Sequence, residues 1–270
     1  MIKYSKIKVK EFFKLNILAI GDIVGKVGID KLAKEIKGIV EENEIDFIIV
    51  NGENSADGMG ITEKEYKEIL KLNADIITLG NHTWAKKDVF KFINEPYIIR
   101  PANYPSGVPG VGYKIMTCNN KKIAIINLLG RAEIGILTEN PFICVDKIIE
   151  KIKNDVDIIM VDFHAEASAE KKAMGYHLDG KATVMFGTHT HIQTADEQIL
   201  PKGTGYITDI GMTGPKDSVI GMEIGASLKR FVTTLPEKYK IASGEAILNG
   251  CVFKINDDNC RVESIKRVSC

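Results

Sequence analysis

Four of the chain's five histidines stand just after short aliphatic runs: His82 in GNHTW, His164 in DFHAEAS, and His189 and His191 in FGTHTHIQ. Other runs end in Asp22 (GDIVG), in Glu53 and Asn54 (NGENSADGMG), and in Asn81, directly before His82. Imidazole, carboxylate and amide oxygen together form a donor set for divalent Fe, Mn, Zn or Co, and no cysteine stands among them to suggest a thiolate site. A carboxylate can bridge two ions, and a pair roughly 3.5–4 Å apart can clamp a phosphoryl group and generate hydroxide. Taken singly, a GD or GN after a strand is usually a turn, and a lone histidine is most often a satisfied, partly buried one. Five strand ends carrying ligand-type residues together point to a dinuclear centre.

The elements that would have to gather these residues are legible. LNILAI, DFIIV, ADIITL, KIAIINLL, VDIIMV and ATVMF are the length and composition of strands buried on both faces. Between them, IDKLAKEIKGIVEEN places Leu32, Ile36, Ile39 and Val40 at helical spacing. TEKEYKEILKL opens with Thr62 and Glu65 in a capping-box pattern, and CVDKIIEKIKN is a third amphipathic helix. Strand and helix alternate over 15–94 and 146–186, which predicts βαβ units. The stretches 97–130 and 244–268 read as strands joined by turns. In such sheets the carboxyl ends of parallel strands converge on one rim, where ligands bind. The glycines before Asp22, Glu53 and Asn81 suit tight turns. Residues 1–14 read as an N-terminal extension, with room for a short helix near its end, and 15–270 as one domain. In an extended segment His189 and His191 would point to one side, with Thr190 facing away.

Composition narrows the function classes. The 36 basic and 36 acidic residues of this 270-residue chain balance, so no global field draws it to nucleic acid or membrane. No run approaches the roughly 18 apolar residues of a membrane span. Five scattered cysteines without a CxxC pair fit a reduced, cytoplasmic setting.

The ordered series GD, GEN, GNH, H and GTHTH resembles the calcineurin-like metallophosphoesterase superfamily. More narrowly, GDIVG, NGEN, GNHTW, HAEAS, GTHTHIQTADE and DIGMTGP are similar to the bacterial YmdB-type phosphodiesterases. The resemblance implies a four-layer α/β/β/α sandwich with mixed sheets and the metal site at the strand carboxyl ends. It implies one metal held by Asp22, Glu53, Asn54 and His191, and a second by Glu53, Asn81, His164 and His189. The wider superfamily has Asp-x-His where Asp22 is followed by Ile23 and Val24, and Asp where Glu53 stands; both departures match the YmdB type. Iron or manganese is favoured by the resemblance, and the residues also admit zinc.

The expected activity is hydrolysis of small phosphodiesters by metal-activated water, with 2′,3′-cyclic nucleotides favoured by the resemblance and a regulatory role implied. His82 is the candidate for stabilising the transition state or protonating the leaving alkoxide. A phosphomonoesterase or nucleotidase on the same metals is the rival enzyme reading. An RNA-associated regulatory protein with secondary catalysis is the rival from another class. A homo-oligomer without a membrane partner is the expected state.

Overall fold

The computed structural model describes residues 14–238 and 240–270. The predicted extension therefore lies outside the described residues except for Lys14, which begins the first strand. In chain order the elements are β1 (Lys14–Ile20), β2 (Asp22–Ile23), α1 (Gly25–Asn43), β3 (Phe47–Asn51), α2 (Glu63–Lys71) and β4 (Ile76–Thr78). There follow β5 (Tyr113–Cys118), β6 (Lys121–Leu129), α3 (Pro141–Ile152), β7 (Ile158–His164), α4 (Ser168–Leu178) and β8 (Val184–Thr188). The last are β9 (Gln198–Ile199), β10 (Gly205–Ile207), β11 (Met212–Pro215), α5 (Ile224–Thr233), β12 (Ala246–Asn256) and β13 (Val262–Ser269).

The strands form two mixed sheets. One runs β2-β11-β12-β1-β3-β4 with β13 on β12, and the other runs β5-β6-β7-β8-β10-β9. Within the first, β1, β3 and β4 are parallel; within the second, β6, β7, β8 and β10 are parallel. Side-chain alternation then sorts each strand into two cores. Ile17, Ala19, Phe47 and Ile49 meet Ile125, Met160, Val184 and Phe186 between the sheets. The intervening residues Leu18, Ile48 and Val50 pack under Leu32, Ile36 and Ile69 of α1 and α2. On the far side, Ile126, Val161 and Met185 pack under Val145, Ile149, Met174 and Leu178 of α3 and α4. Three apolar layers separate four layers of elements, the α/β/β/α sandwich that the family resemblance implies.

Local chemistry sets the helix starts. Thr62 and Glu65 form the predicted capping box at α2. Asn140 accepts the Phe142 N–H at 2.9 Å ahead of α3, with Pro141 at its first position. Helix α1 begins at Gly25, four residues earlier than the apolar spacing predicts, because Gly25 and Gly28 carry no side chain to register in that spacing. A Cβ on Gly28 would lie 2.2 Å from the Thr213 carbonyl oxygen, so glycine lets α1 approach β11. The Gly25 N–H donates to the Asn54 carbonyl at 2.9 Å, tying the helix start to the loop after β3.

Candidate metal centre

The face between the sheets changes character toward the carboxyl ends of the parallel strands. On β3, β4, β6, β7 and β8 the inward aliphatic series gives way to Asn51, Thr78, Asn127, Asp162 and Thr188, all buried. Asp162 organises this polar layer. It accepts from Thr78 Oγ1 at 2.5 Å, from Thr188 Oγ1 at 2.7 Å and from Asn51 Nδ2 at 3.4 Å. Burial raises the Asp162 carboxyl to about 6, against the pull of His164 and the two threonine hydroxyls.

Immediately beyond this layer the structure brings together all eight residues singled out from the sequence. Asp22 and Glu53 are fully buried, as is His164; Asn54 and His191 are nearly so, while Asn81, His82 and His189 reach the surface. Three atoms converge on His164 Nε2: Glu53 Oε1 at 2.8 Å, Asn81 Oδ1 at 2.9 Å and His189 Nδ1 at 3.0 Å. One ring nitrogen can hydrogen-bond only one of them well. Ligand atoms about 2.1 Å from a six-coordinate ion lie about 3 Å from one another, which is the spacing seen. Beside this group, Asn54 Nδ2 lies 3.4 Å from Glu53 Oε1 and 3.1 Å from His191 Nε2. Asp22 Oδ1 stands 3.9 Å from His191 Nε2 and is buried with no hydrogen-bond partner. A buried carboxylate oxygen left bare is costly unless a cation meets it. Both observations fit divalent ions.

Electrostatics agree. Burial works against charge on Glu53 and on His164, but their mutual attraction outweighs it, holding Glu53 at about 2 and lifting His164 to about 9. A divalent cation bound here would take the place of the His164 proton. Burial, and then the charge of His164, push His189 down to about 3 and leave it a neutral donor. Burial raises Asp22 despite His191 and His164 nearby.

Outer contacts aim the rings. Thr188 Oγ1 gives its proton to Asp162 and receives His164 Nδ1–H at 2.9 Å, which turns the Nε2 lone pair toward the cluster. His191 Nδ1–H donates to the Ile220 carbonyl at 2.8 Å with the same result. His189 Nε2 lies 3.1 Å from Glu166 Oε2, leaving Nδ1 for the cluster. The His82 N–H donates to Glu53 Oε2 at 3.0 Å, and its ring Nε2 sits 3.2 Å from Asn81 Nδ2.

Two sequence expectations need correction. β8 ends at Thr188, and His189 and His191 have φ of 101° and 67°, so strand alternation does not place them. They face the cluster from a left-handed loop, and Thr190 between them turns to Asp209, accepted by Oδ2 at 2.7 Å. The glycine before Asn81 serves close approach and has no positive φ. A Cβ on Gly80 would fall 2.4 Å from both Glu53 Oε2 and His164 Nε2.

The sequence assigns no role to Asp162, Lys171 or Asp209, although the motifs DFHAEAS and DIGMTGP begin with the two aspartates. The signal for Asp162 was its place two residues before His164, hence on the same strand face; nothing marked Lys171. His177, outside the motifs, packs edge-on against Phe142 with Nε2 3.0 Å from Asp146 Oδ2. Trp84 packs on the core beneath α2 and stacks on Phe90 at 5.4 Å.

Two mixed sheets back to back between helices, with this donor set at the strand ends, define the calcineurin-like phosphoesterase class. Within it the chain belongs to the YmdB-like protein family, which it matches over residues 18–268. It is 45% identical over 255 residues to a 2′,3′-cyclic-nucleotide 2′-phosphodiesterase of Bacillus subtilis, covering 94% of this chain and 96% of that one. It is 36% identical to a putative phosphatase/phosphodiesterase of Mycoplasma pneumoniae, over 92% of this chain and 90% of the relative. A crystal structure of a novel phosphatase from Mycoplasma pneumoniae superimposes with a TM-score of 0.91 at 34% identity, covering 96% of this chain and 94% of that chain. A putative 5′-nucleotidase from Staphylococcus aureus shares the fold, with a TM-score of 0.63 at 14% identity over 95% of this chain and 54% of its own.

Proposed function

We propose that the chain is a dimetal-dependent phosphodiesterase acting on 2′,3′-cyclic nucleotides or related small diesters. As a YmdB-like protein it is a phosphoric ester hydrolase. The observation that carries the metal reading is the convergence of Glu53, Asn81 and His189 on His164 Nε2 within 3.0 Å. The substrate rests on the printed activity of the Bacillus subtilis relative.

In this reading Glu53, Asn81, His164 and His189 would hold one ion, and Asp22, Glu53, Asn54 and His191 would hold the other. The family resemblance favours iron or manganese, and this donor set also admits zinc. When bound, the ions polarise the phosphoryl oxygens and lower the pKa of a water nucleophile. The protein does the rest. Asp162 and Thr188 fix the His164 ring, and Ile220 fixes His191. His82, half-buried on the open side beside Asn81, delivers a proton to the leaving ribose oxygen as its bond to phosphorus breaks and the bond from water forms. The His82 N–H to Glu53 bond holds that ring's backbone against the cluster.

The test is a substrate panel on anaerobically purified protein. Bis-p-nitrophenyl phosphate should turn over in large excess over p-nitrophenyl phosphate, and 2′,3′-cyclic mononucleotides should open to one phosphomonoester isomer. Faster monoester turnover would move the assignment to a phosphatase, which the description of the Mycoplasma pneumoniae relative also allows.

A further inference from the structure

The motif DIGMTGP has no ligand role, yet its first residue lies under the histidine loop. Asp209 is fully buried, and so is Lys171 of α4, whose Nζ stands 2.6 Å from Asp209 Oδ2. The same oxygen accepts the Thr190 N–H at 3.0 Å and the Thr190 hydroxyl at 2.7 Å. The other oxygen accepts the Gly211 N–H at 2.8 Å. The lysine reaches this point because residue 187 is glycine: a Cβ there would fall 2.9 Å from Lys171 Cδ and 1.9 Å from the Thr208 carbonyl oxygen.

Thr190 is flanked by His189 and His191, both in the left-handed region that L side chains avoid. Backbone held there must be over-determined by its surroundings. Two anchors on this loop are visible from below and above. Asp209 grips Thr190 twice, and Asp22 Oδ2 accepts the His189 N–H at 3.1 Å. A fully buried ion pair gives little net stability compared with an apolar pair of the same shape, so its placement calls for another reason.

We infer that the Lys171–Asp209 pair, acting through Thr190, is a positioning device that sets where His189 and His191 present their ring nitrogens to two bound ions. Lys171 neutralises Asp209 and leaves its Oδ2 fixed as an acceptor. Asp209 then pins the one residue between the two histidines, and each ring is directed to a different side of the cluster. Neither Lys171 nor Asp209 is a ligand. The inference rests on the dinuclear reading above.

The test uses the full chain, metal-stripped and titrated with Mn²⁺ under anaerobic conditions, with bound metal counted and the electron paramagnetic resonance spectrum recorded. Lys171→Met with Asp209→Asn removes both charges together, so no lone charge is left buried. Thr190→Val removes only the hydroxyl that Asp209 accepts. The wild-type chain should bind two ions and show an exchange-coupled spectrum. The double variant should still unfold cooperatively, lose on the order of 10–100-fold in Mn²⁺ affinity, and show uncoupled ions. Thr190→Val should shift in the same direction by a smaller factor, and it decides the matter alone if the double variant does not fold. Wild-type affinity with an unchanged coupled spectrum in the folded variants overturns the positioning role alone. A wild-type chain that binds fewer than two ions overturns the dinuclear reading and this inference with it.

Discussion

Around His164 Nε2 three partner atoms lie within 3.0 Å, whereas Asp22 Oδ1 has no hydrogen-bond partner and stands 3.9 Å from His191 Nε2. The two halves of one cluster are built to different tightness, and their supports explain it. Glu53 and Asn81 follow strands of one sheet, while His164 ends a strand of the other and His189 follows its neighbour. Packing of the two sheets presses that group together, and Asp162 and Thr188 lock its central ring from beneath. Asp22 begins the two-residue β2 at the edge of the first sheet, while Asn54 and His191 lie in loops. Ile23 and Val24 follow Asp22 where the wider superfamily carries an imidazole, so this half has one donor fewer. On the proposed dinuclear reading the tight half is preorganised, and the open half would be completed by the ion it receives.

Removing the residue common to both halves should have the largest effect. Glu53→Gln is expected to lose both ions and to drop turnover to the uncatalysed background, measured by elemental analysis alongside diester hydrolysis. A variant that keeps two ions would show that Asp22, not Glu53, joins the halves. His82→Ala lies outside both halves and should sharpen the comparison. It is expected to keep the full metal content and lose on the order of 10²–10⁴ in kcat. Full activity in that variant would remove His82 from the reaction, and lost metal would make it a structural support of the cluster.

The sequence marks the clustered residues more readily than their supports, for a physical reason. The clustered residues sit where an aliphatic run stops, so Asp22, Glu53, Asn81 and His189 are marked by the change in hydrophobicity itself. Asp162 lies inside a strand and satisfies its charge with threonines from two other strands, a pairing that no local pattern reveals. Lys171 sits in AEKKAM and reads like any solvated lysine until α4 is placed against β8. Helix α4 went unnamed because its buried face includes Lys171 and Gly175, which blur the apolar period. Helix α5 went unnamed because Leu228, Phe231 and Val232 are largely exposed, and no core stripe separates it from a loop. The strands buried on both faces were legible as runs of Ile and Val, whereas β2, β9, β10 and β11 are too short to leave such a run.

Binding of two unequal ions per chain, with diester hydrolysis only when both are present, is tested most directly by equilibrium titration of the metal-free protein with Mn²⁺, following bound ions and bis-p-nitrophenyl phosphate turnover in the same samples. A tight first ion without activity is expected, then a weaker second ion with which activity rises in proportion. Full activity at one ion per chain would contradict it.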